Sequence, residues 1–339
     1  MAQASNYFPS QSVELYFQKE AAVGVSPDDA DLKKLQVTSF TIPEASVPVD
    51  YSSQRSGTFV TQESQGHHGE GLKLWTFDTV LKGTLTSVRL ATEALFEDSG
   101  SDGTAILMNT YSFPTSSYKD GEAANTFEFR FEQGGSDSSE NNIRVNGCIA
   151  TGMTLTEDIG SEGGELVCTI NWATAYYPTY TSAALGGTTA YDGDTPKNIR
   201  NLNISNTTID SEEVVLQSFE ISATRTIERI HYQNTTSGDY KPFGYVMTGG
   251  WEVTGSLTCV RNDDIHDLKA KFINGSTASL SIGESSGTNF LVSCPKIFIN
   301  ETTIDNGGAV LMQSVPFTAV GNDDLSTGSA LLQVNIANS

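Results

Sequence analysis

The chain contains the stretch Val37-Thr-Ser-Phe40-Thr-Ile42, and a stretch of the same pattern returns past the middle as Leu216-Gln-Ser-Phe219-Glu-Ile221. Both alternate apolar with polar residues, as a half-buried β-strand does. Two further glycine-led landmarks follow each of them in the same order. They are Gly83-Thr-Leu85-Thr-Ser-Val88-Arg89 and Gly163-Gly-Glu-Leu166-Val-Cys168, then Gly255-Ser-Leu257-Thr-Cys259-Val260-Arg261 and Gly307-Gly-Ala-Val310-Leu-Met312. A repeated order of landmarks predicts an internal tandem duplication.

A fourth landmark is a cysteine that follows a strand-like run, Cys148 in the first copy and Cys294 in the second. The separation between matching landmarks shrinks along the chain, which indicates insertions in the first copy. The largest insertion falls between Ala91 and Phe127.

Two domains are the natural division of 339 residues, because a chain of this length is too long for one core. We predict domain 1 at residues 1–195 and domain 2 at residues 196–339. Domain 1 is expected to carry an N-terminal arm, residues 1–36, and an insert, residues 99–125.

The fold class is predicted to be all-β with short helices, because strand formers, glycine and hydroxyl residues dominate and helical periodicity is scarce. One helical turn is expected within 28–35, and helices at 89–98 and 263–273. Two long polar segments, 43–73 and 222–245, are interpreted as arms that contact a neighbouring subunit. Strands are predicted at 13–17, 35–42, 77–88, 126–132, 143–149, 151–157, 165–176, 214–221, 246–260, 277–283, 289–294, 296–301, 308–318 and 330–336.

The charge of the chain is strongly acidic, with a formal net charge of -22 and an isoelectric point of about 4.4. A conventional DNA-binding surface gains affinity by pairing cations with phosphates, and this composition does not favour one. Nucleic acid that meets this protein is expected to be repelled.

Export and membrane signals are not predicted. No window approaches the roughly 18 uninterrupted apolar residues that a membrane span needs. The start, Met1-Ala-Gln-Ala-Ser-Asn6, lacks the basic and apolar regions of a secretory signal, which predicts a soluble protein without a cleaved leader.

The four cysteines, Cys148, Cys168, Cys259 and Cys294, are too few for a disulfide scaffold of this size, and none forms a C-x-x-C pair. Disulfides Cys148–Cys168 and Cys259–Cys294 are conceivable within the two copies. Buried free thiols are the favoured interpretation, because the cysteines lie in apolar strand contexts.

Three motifs resemble reactive or metal-binding sites, and each is better explained as a turn or loop. Gly283-Glu-Ser285-Ser-Gly287 matches G-x-S-x-G but lies between two predicted strands, without the following helix that a serine hydrolase requires. His67 and His68 are adjacent in a loop and have no third histidine close in sequence. Asp98–Gly103 and Asp192–Asp194 are fragments of a calcium loop without its closing glutamate.

Taken together, these patterns predict no catalytic residue, no cofactor site and no metal site, so the chain is not expected to be an enzyme.

The chain resembles the tail tube proteins (major tail proteins) of long-tailed, siphovirus-like bacteriophages. The resemblance lies in Tyr16-Phe-Gln-Lys19-Glu20-Ala-Ala-Val-Gly24-Val-Ser-Pro27, in Lys34-Leu-Gln-Val37-Thr-Ser39-Phe40, and in the loop segment Asp50-Tyr-Ser-Ser-Gln-Arg55-Ser-Gly57. The segments 83–86, 148–157 and 166–172 are similar to later strands and the connecting helix of that family.

The resemblance implies β-sandwich or half-barrel domains with a flanking helix, whose subunits join strands into an inner barrel and stack as rings around double-stranded DNA. Family rings are usually hexamers of single-domain subunits. A duplicated chain therefore implies a trimeric ring of pseudo-sixfold symmetry in a virion tail, made in the host cytoplasm. The implied partners are further copies of the chain, the tape measure protein, the tail terminator and the distal tail proteins, with transient passage of DNA and no membrane insertion.

Two alternatives remain open from the sequence. A surface β-sandwich adhesin or capsid-decoration protein that binds host glycan also fits acidic tandem β domains. A glycosidase would need two carboxylates roughly 5 to 9.5 Å apart in a cleft, and no pair in the sequence points to one.

Overall fold

A computed structural model describes residues 13–28, 31–43, 49–51, 66–68, 74–96, 125–133, 142–160, 164–181, 207–231, 242–249, 251–261, 273–283, 290–321 and 331–336. Within these ranges the fold is an antiparallel β structure with one helix of more than two residues, so the prediction of an all-β protein with short helices is confirmed. The strands of the first part are β1 Val13–Lys19, β2 Lys33–Leu35, β3 Ser39–Phe40, β4 Val49–Tyr51, β5 Gly66–His68, β6 Trp75–Lys82, β7 Phe127–Gln133, β8 Asn142–Asp158, β9 Val167–Thr174 and β10 Thr179–Thr181, and the helix is α1 Leu85–Phe96.

The strands of the second part are β11 Thr208–Ile209, β12 Glu212–Glu213, β13 Leu216–Thr224, β14 Ile227–His231, β15 Pro242–Met247, β16 Glu252–Val260, β17 Ala278–Gly283, β18 Phe290–Ile299, β19 Thr303–Asp305, β20 Met312–Ala319 and β21 Gln333–Ile336. They include two short hairpins, β11–β12 and β14–β15, and the second of these forms a two-stranded sheet of its own.

The main layer is a continuous run of hydrogen-bonded strands in the order β3-β6-β9-β8-β13-β16-β20, and β20 then pairs with the end of β18 and with β19. The strand β8 comes from the first part of the chain and β13 from the second. The pairing of these two strands carries one sheet across both parts.

Two long strands also serve a second layer. The N-terminal half of β8 pairs with β7 and β10, and β7 continues to β1 and β2. The N-terminal half of β18 pairs with β17 and β21, and β17 continues to β11 and β12. Each long strand changes register where it passes between layers, as a β-bulge does when it bends a strand.

In β8 the bend lies at Gly147, which adopts φ +61 in the left-handed region, where glycine is favoured. A Cβ at Gly147 would lie 2.4 Å from Cδ2 of Tyr176. In β18 the register changes between the pairs Ala278–Ile297 and Leu280–Cys294, so Pro295 falls at the irregular position where a missing N–H is tolerated.

The core between the layers is aromatic in the first part of the chain. Phe129 lies with its ring centroid 4.8 Å from Trp172 and 5.2 Å from Phe77. The Trp172 Nε1–H donates to the hydroxyl of Thr79 at 3.0 Å, so its one polar atom is satisfied inside the core. Buried apolar side chains from both parts of the chain form one contiguous cluster.

The predicted strand at 77–88 is wrong at its end, because β6 stops at Lys82 and α1 begins at Leu85, four residues before the predicted helix start. The hydroxyl of Thr84 accepts from the Ser87 N–H at 3.0 Å, and the Ser87 hydroxyl accepts from the Thr84 N–H at 2.8 Å. This reciprocal arrangement satisfies two N–H groups at the helix start, in the manner of a capping box.

Other predicted boundaries are corrected by the bends. The pairs of strands predicted at 143–149 and 151–157, and at 289–294 and 296–301, are each a single strand, because their glycines and proline bend the chain without ending the ladder. The helical turn predicted within 28–35 is confined to its start, where the Asp31 N–H donates to the Asp28 carbonyl at 2.9 Å, and β2 follows from Lys33.

Several predicted segments lie largely or wholly outside the described residues, and their predictions stand untested. They are the insert 99–125, the calcium-like fragments and the helix at 263–273.

Candidate functional site

The pairing of β8 with β13, the β8–β13 joint, connects the two parts of the chain in one sheet. Seven residue pairs face each other in antiparallel register, from Ser218 opposite Asp158 to Thr224 opposite Gly152. On the core side, Leu155 and Ile221 lie opposite each other and are both 0% exposed. On the other side, the Thr154 and Ser222 hydroxyls are 3.2 Å apart and hydrogen bonded.

The residue that follows β13 fastens the same joint. The Arg225 backbone N–H donates to the Thr151 carbonyl at 2.9 Å, and its Nε–H donates to the Ala150 carbonyl at 2.9 Å. Both acceptors belong to the point where β8 changes register against β9. The guanidinium carbon lies 5.3 Å from the ring centroid of Trp251, within range of a cation–π interaction.

The hairpin of β14 and β15, which lies in the predicted arm 222–245, packs onto the first part of the chain. Tyr245 is 1% exposed and shares a small cluster with Ile149, Ala173 and Ile227. Its hydroxyl donates to the Gly147 carbonyl and accepts from the Ala175 N–H. Burial raises the pKa of the Tyr245 phenol, so the hydroxyl keeps its proton and its role as donor.

The face of the main sheet that points away from the aromatic core is mainly polar, although Val80, Val167, Val260 and Met312 also lie on it. Its side chains alternate with the buried ones along each strand and are partly or fully exposed. The carboxylates on it include Asp78, Asp158, Glu220 and Glu252, and its lysine, Lys82, lies 3.6 Å from Glu165. Hydroxyl residues fill much of the remainder: Thr76, Thr154, Thr156, Thr169, Ser218, Ser222, Thr224, Thr254, Ser256, Thr258, Ser314 and Thr318.

Exposed sheet edges lie at both ends of the main layer. Among the described strands, β3 pairs only with β6, and β19 pairs only with β20. Near the second edge, Phe298 is 40% exposed and Ile304 is 51% exposed. Large apolar side chains at an exposed sheet edge are typical of a surface that another chain covers.

A buried carboxylate holds the turn after β1 against the bend in β8. Glu20 is 5% exposed and accepts from the Gly147 N–H at 2.8 Å, the Gly24 N–H at 2.8 Å and the Thr126 hydroxyl at 2.7 Å. Burial raises the pKa of Glu20 in spite of these donors. Its contacts give it a structural role, and no periodic pattern in the sequence indicated this role.

A second buried charge cluster lies on β7 and β8. Glu128 is fully buried and pairs with Arg130 and, at 3.1 Å, with Arg144. The paired arrangement satisfies charges that would be costly to bury alone.

The four cysteines are free thiols and all are buried, which confirms the interpretation drawn from their apolar contexts. Burial raises the pKa of Cys168 and Cys294 to about 12 and that of Cys259 to about 11. These thiols are poor nucleophiles, because the thiolate is the reactive form.

The motifs that resembled reactive or metal sites have the following positions. His67 and His68 lie on β5, opposite Asp50 and Val49 of β4, and their side chains are outside the described part. The residues 284–287 of the G-x-S-x-G match are not described, but Gly283 and Leu291 pair directly on either side of them. Within the described residues no group of three or more His, Cys, Asp or Glu side chains could hold a metal ion. In that same part of the chain, no helix has the length and apolarity to cross a membrane.

These features define a class of protein: an all-β structural subunit with open sheet edges and a polar, acidic sheet face. Residues 11–319 match the family described as "Phage tail tube protein", and the chain belongs to that family. It is therefore a structural protein of the virion tail, and the family is not one of enzymes. The match supports the tail tube prediction over the adhesin or capsid-decoration alternative.

One solved structure among those found, a chain of "Virion of native gene transfer agent (GTA) particle", is 12% identical over 37% of this chain and 85% of its own, with a TM-score of 0.20. That score is too low to carry a structural argument. No curated protein matches the chain in sequence.

Proposed function

We propose that three copies of this chain close a ring of pseudo-sixfold symmetry, and that the rings stack into a tube through which double-stranded DNA passes. The observation that carries this proposal is the β8–β13 joint, which already unites two sets of strands from one chain edge to edge. In the proposed ring, the same kind of edge-to-edge strand pairing would connect one chain to the next.

The order of pairing supports two equivalent units per chain, at residues 1–195 and 196–339. The run β3-β6-β9-β8 is followed by β13-β16-β20-β18, and in each run the last strand also enters the second layer. The registers agree as well. Phe40 lies opposite Thr79, which lies opposite Ile170, and Phe219 lies opposite Leu257, which lies opposite Val315.

The registers also revise the details of the repeat. Leu85 begins α1, whereas its sequence counterpart Leu257 lies in the middle of β16. Cys294 lies opposite Leu280, and the equivalent pair in the first part of the chain is Val145 opposite Phe129. By register, Cys294 therefore corresponds to Val145 and not to Cys148. The proposed duplication therefore rests on strand pairing more than on the landmarks.

The polar face of the main sheet is proposed as the wall of the lumen. Its carboxylates, including Asp158, Glu220 and Glu252, repel phosphates, and its hydroxyl groups keep the wall wet. A wall of this kind lets DNA slide without being held. The remaining surfaces are proposed to meet the tape measure, terminator and distal tail proteins at the ends of the tube.

Electron microscopy of the purified protein over a range of concentrations tests this function. Hollow tubes, with end views that average to a threefold ring of six similar lobes, are the expected result. Rings of six complete chains would contradict the trimer while leaving the tube intact. Monomers or closed small oligomers at every concentration would contradict the tube.

A further inference from the structure

We propose that neighbouring copies in the ring join through a repeat of the β8–β13 joint, in which β3 of one copy adds to the β18–β19 edge of the next. This inference rests on the proposed ring and assigns its contact to named strands and a register. The occupant of the edge is a second copy of this chain.

The edge formed by β18 and β19 occupies the position that β8 has in the first part of the chain. Thr154 and Leu155 of β8 lie opposite Thr169 and Cys168 of β9. In the second part, Thr303 and Ile304 of β19 lie opposite Ser314 and Gln313 of β20. Since β9 and β20 are equivalent by their pairing with β6 and β16, Ile304 takes the place of Leu155.

The edge strand β3 occupies the position of β13. Phe40 pairs with β6 as Phe219 pairs with the equivalent strand β16. Ile42, two residues beyond the end of β3, then corresponds to Ile221, which lies two residues beyond Phe219 within β13. If the contact between copies repeats the pair Leu155–Ile221, Ile42 of one copy lies opposite Ile304 of the next. Thr41 then lies opposite Asp305.

This register is chemically consistent on both faces of the sheet. Ile42 and Ile304 would meet on the core side, and both are apolar. Thr41 and Asp305 would meet on the polar side, where Thr41 already donates a hydrogen bond to Asp78. A slip by one residue would place apolar side chains opposite polar ones on the wrong faces.

Exposure differs between the equivalent positions as an absent neighbour predicts. Leu155 is 0% exposed where β13 covers it, whereas Ile304 is 51% exposed. Ile149 is 0% exposed beneath the β14–β15 hairpin. Phe298 lies opposite Thr318 in the position that Ile149 has opposite Ala173, so Phe298 is the counterpart of Ile149. Phe298 is 40% exposed.

The hairpin of β4 and β5 is the element expected to cover Phe298. In the chain, it follows β3 and precedes β6, just as the β14–β15 hairpin follows β13 and precedes β16. The β14–β15 hairpin covers Ile149 of β8, which is the strand that pairs with β13. The β4–β5 hairpin of a neighbouring copy would cover the second part in the same way.

Cysteine pairs test the register in the full-length chain. The two double variants Thr41→Cys/Asp305→Cys and Ile42→Cys/Ile304→Cys cover adjacent positions, one of which is a non-hydrogen-bonded pair with closely spaced side chains. Mild oxidation should convert at least one variant into a ladder of covalently linked chains on a non-reducing gel. The control Thr41→Cys/Gly308→Cys is three positions out of register, beyond the roughly 7 Å Cα separation that a disulfide tolerates, and should stay monomeric on the gel.

The outcomes separate this joint from the tube itself. Tubes by electron microscopy, together with a ladder in an in-register pair only, support the joint. Tubes without such a ladder, or with an equal ladder in the control, overturn the joint and leave the tube standing. Neither tubes nor ladders at any protein concentration overturn both.

A charge at the edge gives a second readout that does not depend on disulfide geometry. Ile304→Asp should abolish assembly without changing the unfolding temperature, because the side chain is exposed in the single chain. Val25→Asp is the matched control, since Val25 is 52% exposed and lies in the turn after β1, a strand of the second layer that pairs with β2 and β7. Normal tubes from Ile304→Asp would overturn the proposed joint.

Discussion

Leu155 and Ile221, 66 positions apart in the chain, lie opposite each other in β8 and β13 and are both fully buried. The pair joins the last strand of one run to the first strand of the next. The continuity of the main sheet therefore depends on contacts between residues far apart in sequence.

Truncation of this pair should destabilise the whole chain. We expect Leu155→Ala and Ile221→Ala each to lower the free energy of unfolding by about 2–5 kcal/mol, the usual cost of a large-to-small core substitution. Chemical denaturation measures the loss, and Val215→Ala, at a residue that is 57% exposed, is the control. Because the two side chains are neighbours, the double variant should differ from the sum of the single losses by roughly 0.5 kcal/mol or more. Strictly additive losses would contradict direct coupling across the joint.

The Tyr245 hydroxyl should be worth more than its packing alone. Tyr245→Phe keeps the ring but leaves the Gly147 carbonyl and the Ala175 N–H without this partner, at a cost of about 1–3 kcal/mol for a buried unsatisfied group. Thermal unfolding checks the loss against Tyr177→Phe, at a tyrosine that is 44% exposed. Equal unfolding temperatures for the two variants would show that the hydroxyl does not hold the hairpin.

The buried Glu20 carboxyl should give a pH dependence of defined sign. Burial raises its pKa above the ordinary value of 4.5, so the folded state binds the proton more tightly than the unfolded state. The stabilising contribution is complete below the unfolded pKa and is lost as pH rises through the folded pKa. The unfolding temperature of the wild type, relative to Glu20→Gln, should therefore fall as the pH is raised from the ordinary pKa of 4.5 towards neutral. A relative stability that increases over this range would contradict the assignment.

The thiols should resist alkylation in the native protein. With the pKa of Cys168 and Cys294 raised to about 12 by burial, almost no thiolate forms at neutral pH, and access is blocked as well. Mass spectrometry after iodoacetamide treatment should find no modified cysteine until denaturant is added. Val25→Cys, at a position that is 52% exposed, should be alkylated at once and provides the control. Rapid native alkylation of all four wild-type cysteines would contradict the core placement.

Charge on the proposed lumen wall should decide whether DNA slides or is held. The double variant Glu220→Lys/Glu252→Lys replaces repulsion by attraction on the polar sheet face, and its tubes should retain DNA at low salt and release it as salt increases. Co-sedimentation of DNA with tubes measures this. Glu212→Lys/Glu213→Lys makes the same charge change on β12, which lies outside the polar sheet face. Equal retention by both variants would contradict a lumen at that face.

Much of the fold class could be read from local patterns. The two-residue alternation of Phe127, Phe129 and Phe131 predicted β7, and the apolar contexts of the cysteines predicted buried thiols. The boundaries of strands and helices were predicted wrongly where the same residues fit either a strand or a helix. Leu85 and Val88 continue a strand alternation, yet the reciprocal hydrogen bonds of Thr84 and Ser87 start a helix there.

The assembly surfaces were less accessible to sequence reasoning. The two arms were identified by length and polarity, but nothing in the arm 222–245 indicated that Tyr245 would reach Gly147. The side chains of Arg225 and Glu20 bond to backbone atoms of Ala150 and Gly147, which are distant in the sequence, and such contacts leave no periodic trace.

Composition, alternation and local motifs are properties of neighbouring residues, so they were enough to predict an acidic, all-β chain with unreactive cysteines and a resemblance to tail tube proteins. The folded structure was needed to show that β8 pairs with β13, which carboxylates share one face, and which sheet edges stay open. Strand pairing is a contact between segments far apart in the chain, and a period of two residues sets which face a side chain occupies without specifying the partner strand. The register between Leu155 and Ile221 is therefore a property of the folded sheet.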